Sequence, residues 1–376
     1  MRILLSGGGT AGHINPALSI ATTIKQHIPD AQILFAGTPF GMEARLIPEA
    51  GYDFTPIKVR GFQRRFTPEA ILKNIKACYY LALSTSRSRR IIKDFSPDIV
   101  IGTGGYVCGP ILRTAAKMGV KTAVHESNAF PGMTVKLLAK HVDVVMIATD
   151  DARRHLDKSA NCIVTGNPLS DDFLNISKAD ARAELGIASG DMCILSYGGS
   201  LGAGRINETV VDLIEWESEK SDIHHIHAYG GMGKETFLPA LHAKGIDEKK
   251  NHKLDIREYI NNMNVCLAAA DLVISRAGAM TLTQLQEMSR ASILIPSPIV
   301  AENHQYHNAM VLEKQGAAIV IEQNKLTSDL LIEKVSELYK DREKLRILGE
   351  NAGRTSISNA SDRILSVILD LMPSSQ

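Results

Sequence analysis

The sequence predicts an α/β protein of two domains, each built around a parallel sheet. Short apolar runs alternate with helical patterns along the chain, and this alternation is typical of parallel sheets covered by helices on both faces. A strand, a glycine-rich loop and a helix start follow one another at residues 2–16 and again at residues 193–206. The length of 376 residues also exceeds what one hydrophobic core usually spans.

Each apolar run bounded by turn residues is predicted to be a strand. In the first half these runs are residues 2–6, 33–36, 99–102, 121–125, 142–147 and 162–165. In the second half they are residues 193–197, 225–228, 253–255, 272–275, 292–295 and 318–321. Helices are expected to start at about Pro16 and Ile206. Turn residues near 166–168 divide the chain into predicted domains at 1–165 and 166–353. A final helix at about 354–372 is expected to pack back on the first domain.

The composition excludes several classes of protein. A net charge of +1, with 44% apolar and 22% charged residues, is ordinary for a globular chain and gives nucleic acid no support as a partner. The 5 cysteines are far apart, which favours reduced thiols over disulfides or zinc. The first apolar run is too short for a signal peptide, and no run approaches the roughly 18–20 residues of a membrane span. The chain is expected to be soluble or peripheral to a membrane.

The first glycine-rich loop, residues 7–12, fits the pattern G-x-G-x-x-G. Backbone N–H groups at the start of the following helix attract phosphate and other anions. A turn that only reverses the chain has no need of an imidazole, so His13 is a candidate functional group. The acidic residue that a nicotinamide dinucleotide site requires near the second strand is missing, because Ala-Gly-Thr-Pro stands at residues 36–39.

Other unusual residues fall at predicted strand ends, where parallel sheets bind their ligands. The glycines of residues 102–110 suit a diphosphate, and the polar residues 125–132 suit a ligand rich in hydroxyl groups. Residues 275–281 open a helix that would attract an anion. Each of these segments alone also fits an ordinary turn or cap. The histidines of residues 224–227 are interpreted as strand residues, and His304 with His307 lacks a third ligand for a metal.

Residues 58–95 form a basic stretch in which lysine and arginine greatly outnumber acidic residues and alternate with aromatic and aliphatic ones. Such a mixture suits an anionic membrane surface. A solvated basic face over an ordinary core would have the same composition. Both readings remain open from composition alone.

Together these segments resemble the MurG family of glycosyltransferases. The shared segments, in order, are residues 8–17, 102–110, 125–132, 165–168, 198–203, 276–281 and 303–309. The resemblance implies a GT-B fold, with two Rossmann-like domains of parallel sheets facing each other across a cleft. The first domain would face the acceptor and the membrane, and the second would bind the UDP-sugar.

The resemblance also implies a reaction. N-acetylglucosamine would pass from UDP-N-acetylglucosamine, with inversion, to the 4-hydroxyl of undecaprenyl-pyrophosphoryl-N-acetylmuramoyl-pentapeptide, a step of peptidoglycan synthesis. The UDP-sugar is a substrate, and neither a cofactor nor a metal ion is expected. Because the acceptor is lipid-linked, the resemblance favours an anionic membrane surface as the partner of residues 58–95. The protein would be peripheral, at the cytoplasmic face of the cell membrane.

The resemblance assigns roles residue by residue. His13 is the candidate general base or acceptor-positioning group, with Glu126 as the alternative base. The acceptor diphosphate would be held by Gly104, Gly105 and Tyr106. The donor site would comprise Thr10, Ala11, Gly12, Asn128, Ser170, Ser200, Ile260, Ala279, Met280, Thr281, Leu282, Thr283, Gln284 and Gln305.

The chain departs from the family pattern at a few of these positions. Gln284 stands where the family typically has a glutamate that bonds the ribose hydroxyls, and Glu287, one turn on, is a possible substitute. Ser170 replaces an arginine that some members carry, and Ser127 replaces a more usual glutamine. A UDP-sugar 2-epimerase of the same fold and a non-catalytic membrane-associated relative remain alternatives. The third alternative, a nicotinamide-dependent oxidoreductase, is disfavoured by the missing acidic residue.

Overall fold

The computed structural model describes residues 1–59 and 68–372. The chain forms two compact units, the first comprising Met1–Leu169 with Ile357–Gln376 and the second Ser170–Ser356. In both units the paired strands are parallel, which confirms the predicted α/β class. No helix among the described residues is both long enough and apolar enough to cross a membrane.

The first unit is a parallel sheet with helices on both faces. Its strands are β1 (Arg2–Ser6), β2 (Gln32–Gly37), β3 (Asp53–Pro56), β4 (Ile99–Gly102), β5 (Lys121–Glu126), β6 (Val144–Ile147) and β7 (Cys162–Val164). The strands lie in the order β3-β2-β1-β4-β5-β6-β7. Its helices up to residue 169 are α1 (Ala11–His27), α2 (Glu43–Glu49), α3 (Pro68–Phe95), α4 (Cys108–Lys117) and α5 (Met133–Leu138).

Alternate side chains of the central strand β1 point to opposite faces of this sheet, as strand geometry requires. Ile3 and Leu5 pack with buried residues of α1, whereas Leu4 packs with buried residues of α3, α4 and α5. The strand reads as a continuous apolar run because both of its faces are covered. The strand ends at Ser6, and the first glycine-rich loop follows directly.

The second unit repeats this plan. Its strands are β8 (Met192–Tyr197), β9 (Ile223–Ala228), β10 (Leu254–Arg257), β11 (Leu272–Ser275), β12 (Ala291–Leu294) and β13 (Ile319–Val320), in the order β10-β9-β8-β11-β12-β13. Its helices are α6 (Lys178–Glu184), α7 (Gly204–Glu217), α8 (Gly230–Gly233), α9 (Phe237–Ala243), α10 (Met263–Ala269), α11 (Ala279–Glu287), α12 (His304–Lys314), α13 (Ser328–Lys340) and α14 (Arg342–Arg354).

The end of the chain returns to the first unit. Helix α14 stops at Arg354, and a separate helix, α15 (Ala360–Leu371), packs against α1. Its buried face, which includes Ile364 and Ile368, joins the same hydrophobic cluster as Ile3. The expected single helix over residues 354–372 is therefore wrong in its bounds, because residues 355–359 separate two helices.

The predicted strands are all present with ends shifted by two residues or fewer, but β3 is absent from the prediction. It lies at the edge of the sheet beside β2, its residues are exposed or only half-buried, and it ends at Pro56. An edge strand buries little apolar surface and tolerates proline, so it lacks the apolar run by which the other strands were predicted.

The predicted start of α1 at Pro16 is also wrong, because the helix begins at Ala11 and contains Pro16. Proline leaves only one backbone acceptor of the preceding turn unpaired, and its fixed φ is compatible with a helix near its start. His13 consequently lies in the first turn of a helix rather than in the middle of the loop.

Buried polar networks hold the second unit together. Asp271 accepts hydrogen bonds from Arg182 and from the Cys193 backbone N–H, at 2.5 and 2.7 Å. In β9, His225 lies between the Glu217 carboxylate and the Ser196 hydroxyl, each at 2.7 Å. The histidines of β9 are thus strand residues, as predicted, but they also carry a buried hydrogen-bond chain.

Candidate active site

The first glycine-rich loop connects β1 to α1 and packs against the loop that follows the adjacent strand β4. The Thr103 hydroxyl donates a hydrogen bond to the His13 carbonyl oxygen at 2.7 Å. A Cβ at Gly7 would overlap the Thr103 side chain, so only glycine permits this approach. The neighbouring order of β1 and β4 in the sheet thus brings the two loops together.

His13 lies at the junction of these loops. Its Nδ1 atom is 3.2 Å from the Gly8 carbonyl oxygen and 3.2 Å from the Thr10 hydroxyl. The imidazole packs on Gly104, where a Cβ would lie 2.7 Å from His13 Cδ2. The Thr10 hydroxyl can donate to Nδ1 or accept from it, whereas a carbonyl oxygen can only accept, so a hydrogen bond to Gly8 requires the ring form that carries its proton on Nδ1. This tautomer places the basic lone pair on Nε2.

The second loop, which the resemblance assigns to the acceptor diphosphate, depends on its glycines. Gly104 and Gly105 have φ values of +101° and +80°, a backbone conformation that favours glycine. The Tyr106 ring lies beside Gly9, where a Cβ would be 3.2 Å from Tyr106 Cε1. The structure therefore brings three predicted acceptor residues next to the loop that carries His13.

Glu126, the alternative base, is buried at the end of β5. Its Oε1 atom accepts hydrogen bonds from the Asn128 backbone and side-chain N–H groups, both at 2.9 Å, and its Oε2 atom accepts one from Gly132 N–H at 2.8 Å. Burial raises the pKa of Glu126, and the Asn128 and Gly132 donors oppose that rise. The carboxylate is placed to hold Asn128, a predicted donor ligand, in one orientation.

Six of the predicted donor residues, 279–284, lie in the first two turns of α11. The helix follows β11, and the amides of its first turn, at Ala279, Met280 and Thr281, have no acceptor within the helix by its geometry. Thr283 and Gln284 are half-buried one turn later, whereas Leu282 is part of the core. The Leu282 side chain is therefore turned away from a ligand, and its backbone N–H already donates to the Gly278 carbonyl oxygen at 3.0 Å.

The remaining predicted donor residues differ in accessibility. Ser200 is exposed in the loop after β8, and Ser170 is exposed just before a short 3-10 helix. Ile260 is buried in the core beside Val265. The Ile260 side chain is 3% exposed and offers little surface to a ligand, so its role in donor binding stays a prediction. Glu287 Oε2 accepts a hydrogen bond from the Ser356 hydroxyl at 2.5 Å, and its role as a substitute for Gln284 stays a prediction.

Gln305 is oriented by its own loop. Its side-chain oxygen accepts a hydrogen bond from Ser297 N–H at 2.9 Å, which directs its amide N–H groups elsewhere. Arg276 supports this loop, since its guanidinium donates to the Ile295 carbonyl at 3.0 Å and to Gln323 Oε1 at 2.5 Å. The supporting role of Arg276 was not predicted, because its partners lie far along the chain.

Two α/β units, each with a glycine-rich loop and a helix N-terminus at the carboxyl ends of its parallel strands, are the arrangement of the GT-B fold, which is used by a class of nucleotide-sugar enzymes. The Glycosyltransferase family 28 N-terminal domain matches residues 3–147, and the family 28 C-terminal domain matches residues 193–364.

Named relatives cover the whole chain. An N-acetylglucosamine transferase of Acetivibrio thermocellus, named for the substrate N-acetylmuramyl-(pentapeptide) pyrophosphoryl-undecaprenol, is 44% identical over 99% of this chain and 98% of its own length. A relative of the same name from Ruminiclostridium cellulolyticum is 40% identical, over 99% of this chain and 100% of its own. The chain therefore belongs to the MurG family of glycosyltransferases, which confirms the resemblance found in the sequence.

Solved structures agree on the fold. MurG of Acinetobacter baumannii superposes with a TM-score of 0.78 at 27% identity, covering 98% of this chain and 99% of that one. A UDP-GlcNAc 2-epimerase of Neisseria meningitidis superposes with a TM-score of 0.67 at 14% identity, covering 98% of this chain and 100% of that one. At that identity the epimerase shares the fold alone.

Proposed function

We propose that this chain transfers N-acetylglucosamine from UDP-N-acetylglucosamine to the 4-hydroxyl of the muramoyl sugar in undecaprenyl-pyrophosphoryl-N-acetylmuramoyl-pentapeptide, with inversion at the anomeric carbon. The observation that carries this proposal is the full-length likeness to relatives named as that transferase. The first unit would bind the lipid-linked acceptor and the second would bind most of the donor.

His13 supplies the base in this scheme. With its proton on Nδ1 shared with the Gly8 carbonyl, the ring accepts a proton at Nε2. As the acceptor hydroxyl loses its proton to Nε2, its oxygen attacks the anomeric carbon, and UDP leaves with the electron pair of the broken C–O bond. The Gly104–Tyr106 segment would fix the acceptor diphosphate nearby through its backbone N–H groups.

Backbone dipoles stabilise the leaving UDP in this proposal. The first-turn amides of α11 and the Ser200 hydroxyl would meet the donor phosphates, on which negative charge builds as the bond breaks. Gln284 would accept hydrogen bonds from the ribose hydroxyls, and the Gln305 amide, oriented by Ser297, would bond the sugar. Thr10, Ala11, Gly12 and Asn128 would complete donor recognition from the first unit.

The donor assignment is tested by calorimetric binding of UDP-N-acetylglucosamine, with UDP and NAD as comparators. We expect the UDP compounds to bind and NAD not to bind. Gln284→Glu is expected to tighten UDP-sugar binding by about tenfold, because a charged acceptor bonds the ribose hydroxyls more strongly than an amide.

A matched control adds the same charge to the same unit, at the exposed Gln315. Gln315→Glu should leave the affinity unchanged. Equal tightening in both variants would show a general charge effect, and an absence of UDP-sugar binding in the parent and in Gln284→Glu would contradict the proposed function. Formation of the β-1,4-linked disaccharide on the lipid-linked acceptor then tests the reaction itself.

We also propose that the basic stretch 58–95 contacts an anionic membrane surface at the cytoplasmic face of the cell membrane. Residues 60–67 lie outside the described residues, so Arg64 and Arg65 are left aside. On the carboxyl-terminal part of α3, Arg87, Arg89 and Arg90 are exposed. Exposed arginines attract anionic headgroups, and such attraction adds to apolar contact with the lipid.

Sedimentation with vesicles of phosphatidylglycerol and phosphatidylcholine tests this surface. The double variant Arg89→Glu, Arg90→Glu should bind anionic vesicles at least about tenfold more weakly, because each basic residue near the surface contributes about 1 kcal/mol. Lys249→Glu with Lys250→Glu makes the same charge change at exposed positions of the second unit and should bind like the parent. Equal binding by both double variants would refute the assignment.

A further inference from the structure

A buried carboxylate lies directly behind the loop that carries His13. Glu43 is the first residue of α2 and is fully buried. Its Oε1 atom accepts hydrogen bonds from Thr38 N–H at 3.0 Å and from the Thr38 hydroxyl at 2.6 Å. Its Oε2 atom accepts one from Gly9 N–H at 3.1 Å. The carboxylate therefore connects the end of β2 to the first glycine-rich loop.

Glycines shape the space that this carboxylate fills. A Cβ at Gly8 would lie 2.5 Å from Glu43 Oε1, and one at Gly37 would lie 2.6 Å from Glu43 Cγ. A Cβ at Gly41 would overlap the carboxylate. A carboxylate that only anchored the start of α2 to the end of β2 would need Thr38 alone. The lack of a Cβ at Gly8 lets the carboxylate approach the first glycine-rich loop, and the hydrogen bond from Gly9 N–H attaches it to that loop.

The link to His13 is a single peptide group. The N–H of Gly9 and the C=O of Gly8 belong to the same planar, trans peptide, so they point in opposite directions. Glu43 Oε2 accepts from that N–H, and the carbonyl on the other side lies 3.2 Å from His13 Nδ1. Holding one end of the peptide therefore aims the other end at the imidazole, and each hydrogen bond polarises the next.

We propose that Glu43 is a positioning residue for the transfer reaction, which fixes the Nδ1-protonated tautomer of His13 through the Gly8–Gly9 peptide. In many catalytic sites a carboxylate bonds one ring nitrogen of the histidine directly and so fixes its tautomer. Here a peptide group lies between the carboxylate and the imidazole. Gly105 packs against the Gly8 carbonyl from the other loop and keeps it in place. The catalytic part of this proposal rests on the proposed function, whereas the tautomer does not.

The test compares Glu43→Gln with the parent by two readouts. Glutamine has one acceptor oxygen in place of two, so it cannot accept from both Thr38 and Gly9, and the orientation of the Gly8–Gly9 peptide is held less firmly. Long-range proton–nitrogen NMR of histidine-labelled protein near pH 8, with His13 assigned from His13→Gln, should show one tautomer in the parent and a mixture in Glu43→Gln. Turnover should fall by about 10–100-fold, while UDP binding stays within about twofold of the parent, because UDP is assigned to the second unit.

Glu49→Gln is the matched control, since Glu49 is an exposed residue of the same helix that pairs with Arg45 at 3.3 Å. It should match the parent in both readouts. If Glu43→Gln fails to fold, Thr38→Val removes one donor to the carboxylate and should shift both readouts in the same direction, whereas Thr38→Ser retains the donor and should restore them.

The parent tautomer and parent turnover in Glu43→Gln would overturn the proposal. A mixed tautomer with unchanged turnover would overturn its catalytic part. Should the parent lack transferase activity altogether, the proposed function fails, and the NMR comparison alone still decides whether Glu43 sets the tautomer.

Discussion

Replacing His13 by alanine is expected to lower kcat by about 10²–10⁴-fold, the usual contribution of a positioned general base. UDP affinity should change little, because the groups assigned to the phosphates and the ribose lie in the second unit. The measurement combines transfer to the lipid-linked acceptor with calorimetric binding of UDP. The physical reason is the orientation of the ring, whose Nδ1 lies 3.2 Å from the Gly8 carbonyl oxygen, so that in the proposed tautomer Nε2 carries the basic lone pair.

His27→Ala is a suitable control for this experiment, because His27 lies at the other end of the same helix and bonds the Thr23 carbonyl at 2.9 Å. Its turnover should equal that of the parent. A large loss of UDP affinity in His13→Ala, with kcat preserved, would show that His13 serves donor binding instead. Unchanged values of both would exclude His13 from the reaction.

The second large effect concerns the stability of the first unit at acidic pH. His125 is fully buried in β5, and its Nε2 donates to the Gly166 carbonyl at 3.0 Å. Burial lowers the pKa of His125 from 6.5 to about 4, against the opposing hydrogen bond. Between these values the unfolded chain binds a proton that the folded chain does not. Stability from His125 is therefore complete above about pH 6.5 and declines by about 3 kcal/mol as the pH falls to 4.

Urea denaturation at pH values between 7 and 4.5 measures this effect, as the difference between the parent and His125→Gln. The variant lacks the titrating ring, so its free energy of unfolding should fall less steeply with acidification. Burial raises the pKa of Glu126, so this carboxyl group changes the free energy of unfolding with pH in the opposite direction. Glu126 is present in both proteins, so its contribution cancels in the difference between them. His141→Gln changes an exposed histidine of the same unit and should keep the parent slope. Parallel curves for the parent and His125→Gln would refute the assignment.

Most of the fold could be predicted because buried parallel strands are continuous apolar runs between turns. The edge strand β3 has no such run, since it buries little surface. The start of α1 was misplaced because Pro16 was taken as the first helical residue, whereas the first turn forms around His13. Apolar runs in the sequence thus identified the strands that are buried on both faces. They did not identify the edge strand or the first turn of α1, whose positions depend on residues elsewhere in the fold.

The candidate site divides in the same way. His13, Gln284 and Gln305 stand in short motifs and could be named from the sequence. Glu43 could not, because its partner Gly9 is 34 residues away and the connection exists only once β2 lies beside β1. Arg276 and Gln323 are likewise joined by the order of the strands rather than by any local pattern.

The return of α15 to the first unit has a consequence for biosynthesis. The face of the sheet that carries α1 is completed by Ile364 and Ile368, which a ribosome adds only after all of the second unit has been made. During translation the second unit has its whole sequence available first, while the unit that begins the chain still lacks part of its apolar cover. The first unit, although made earlier, is therefore the one that must be protected from aggregation until synthesis has passed residue 371.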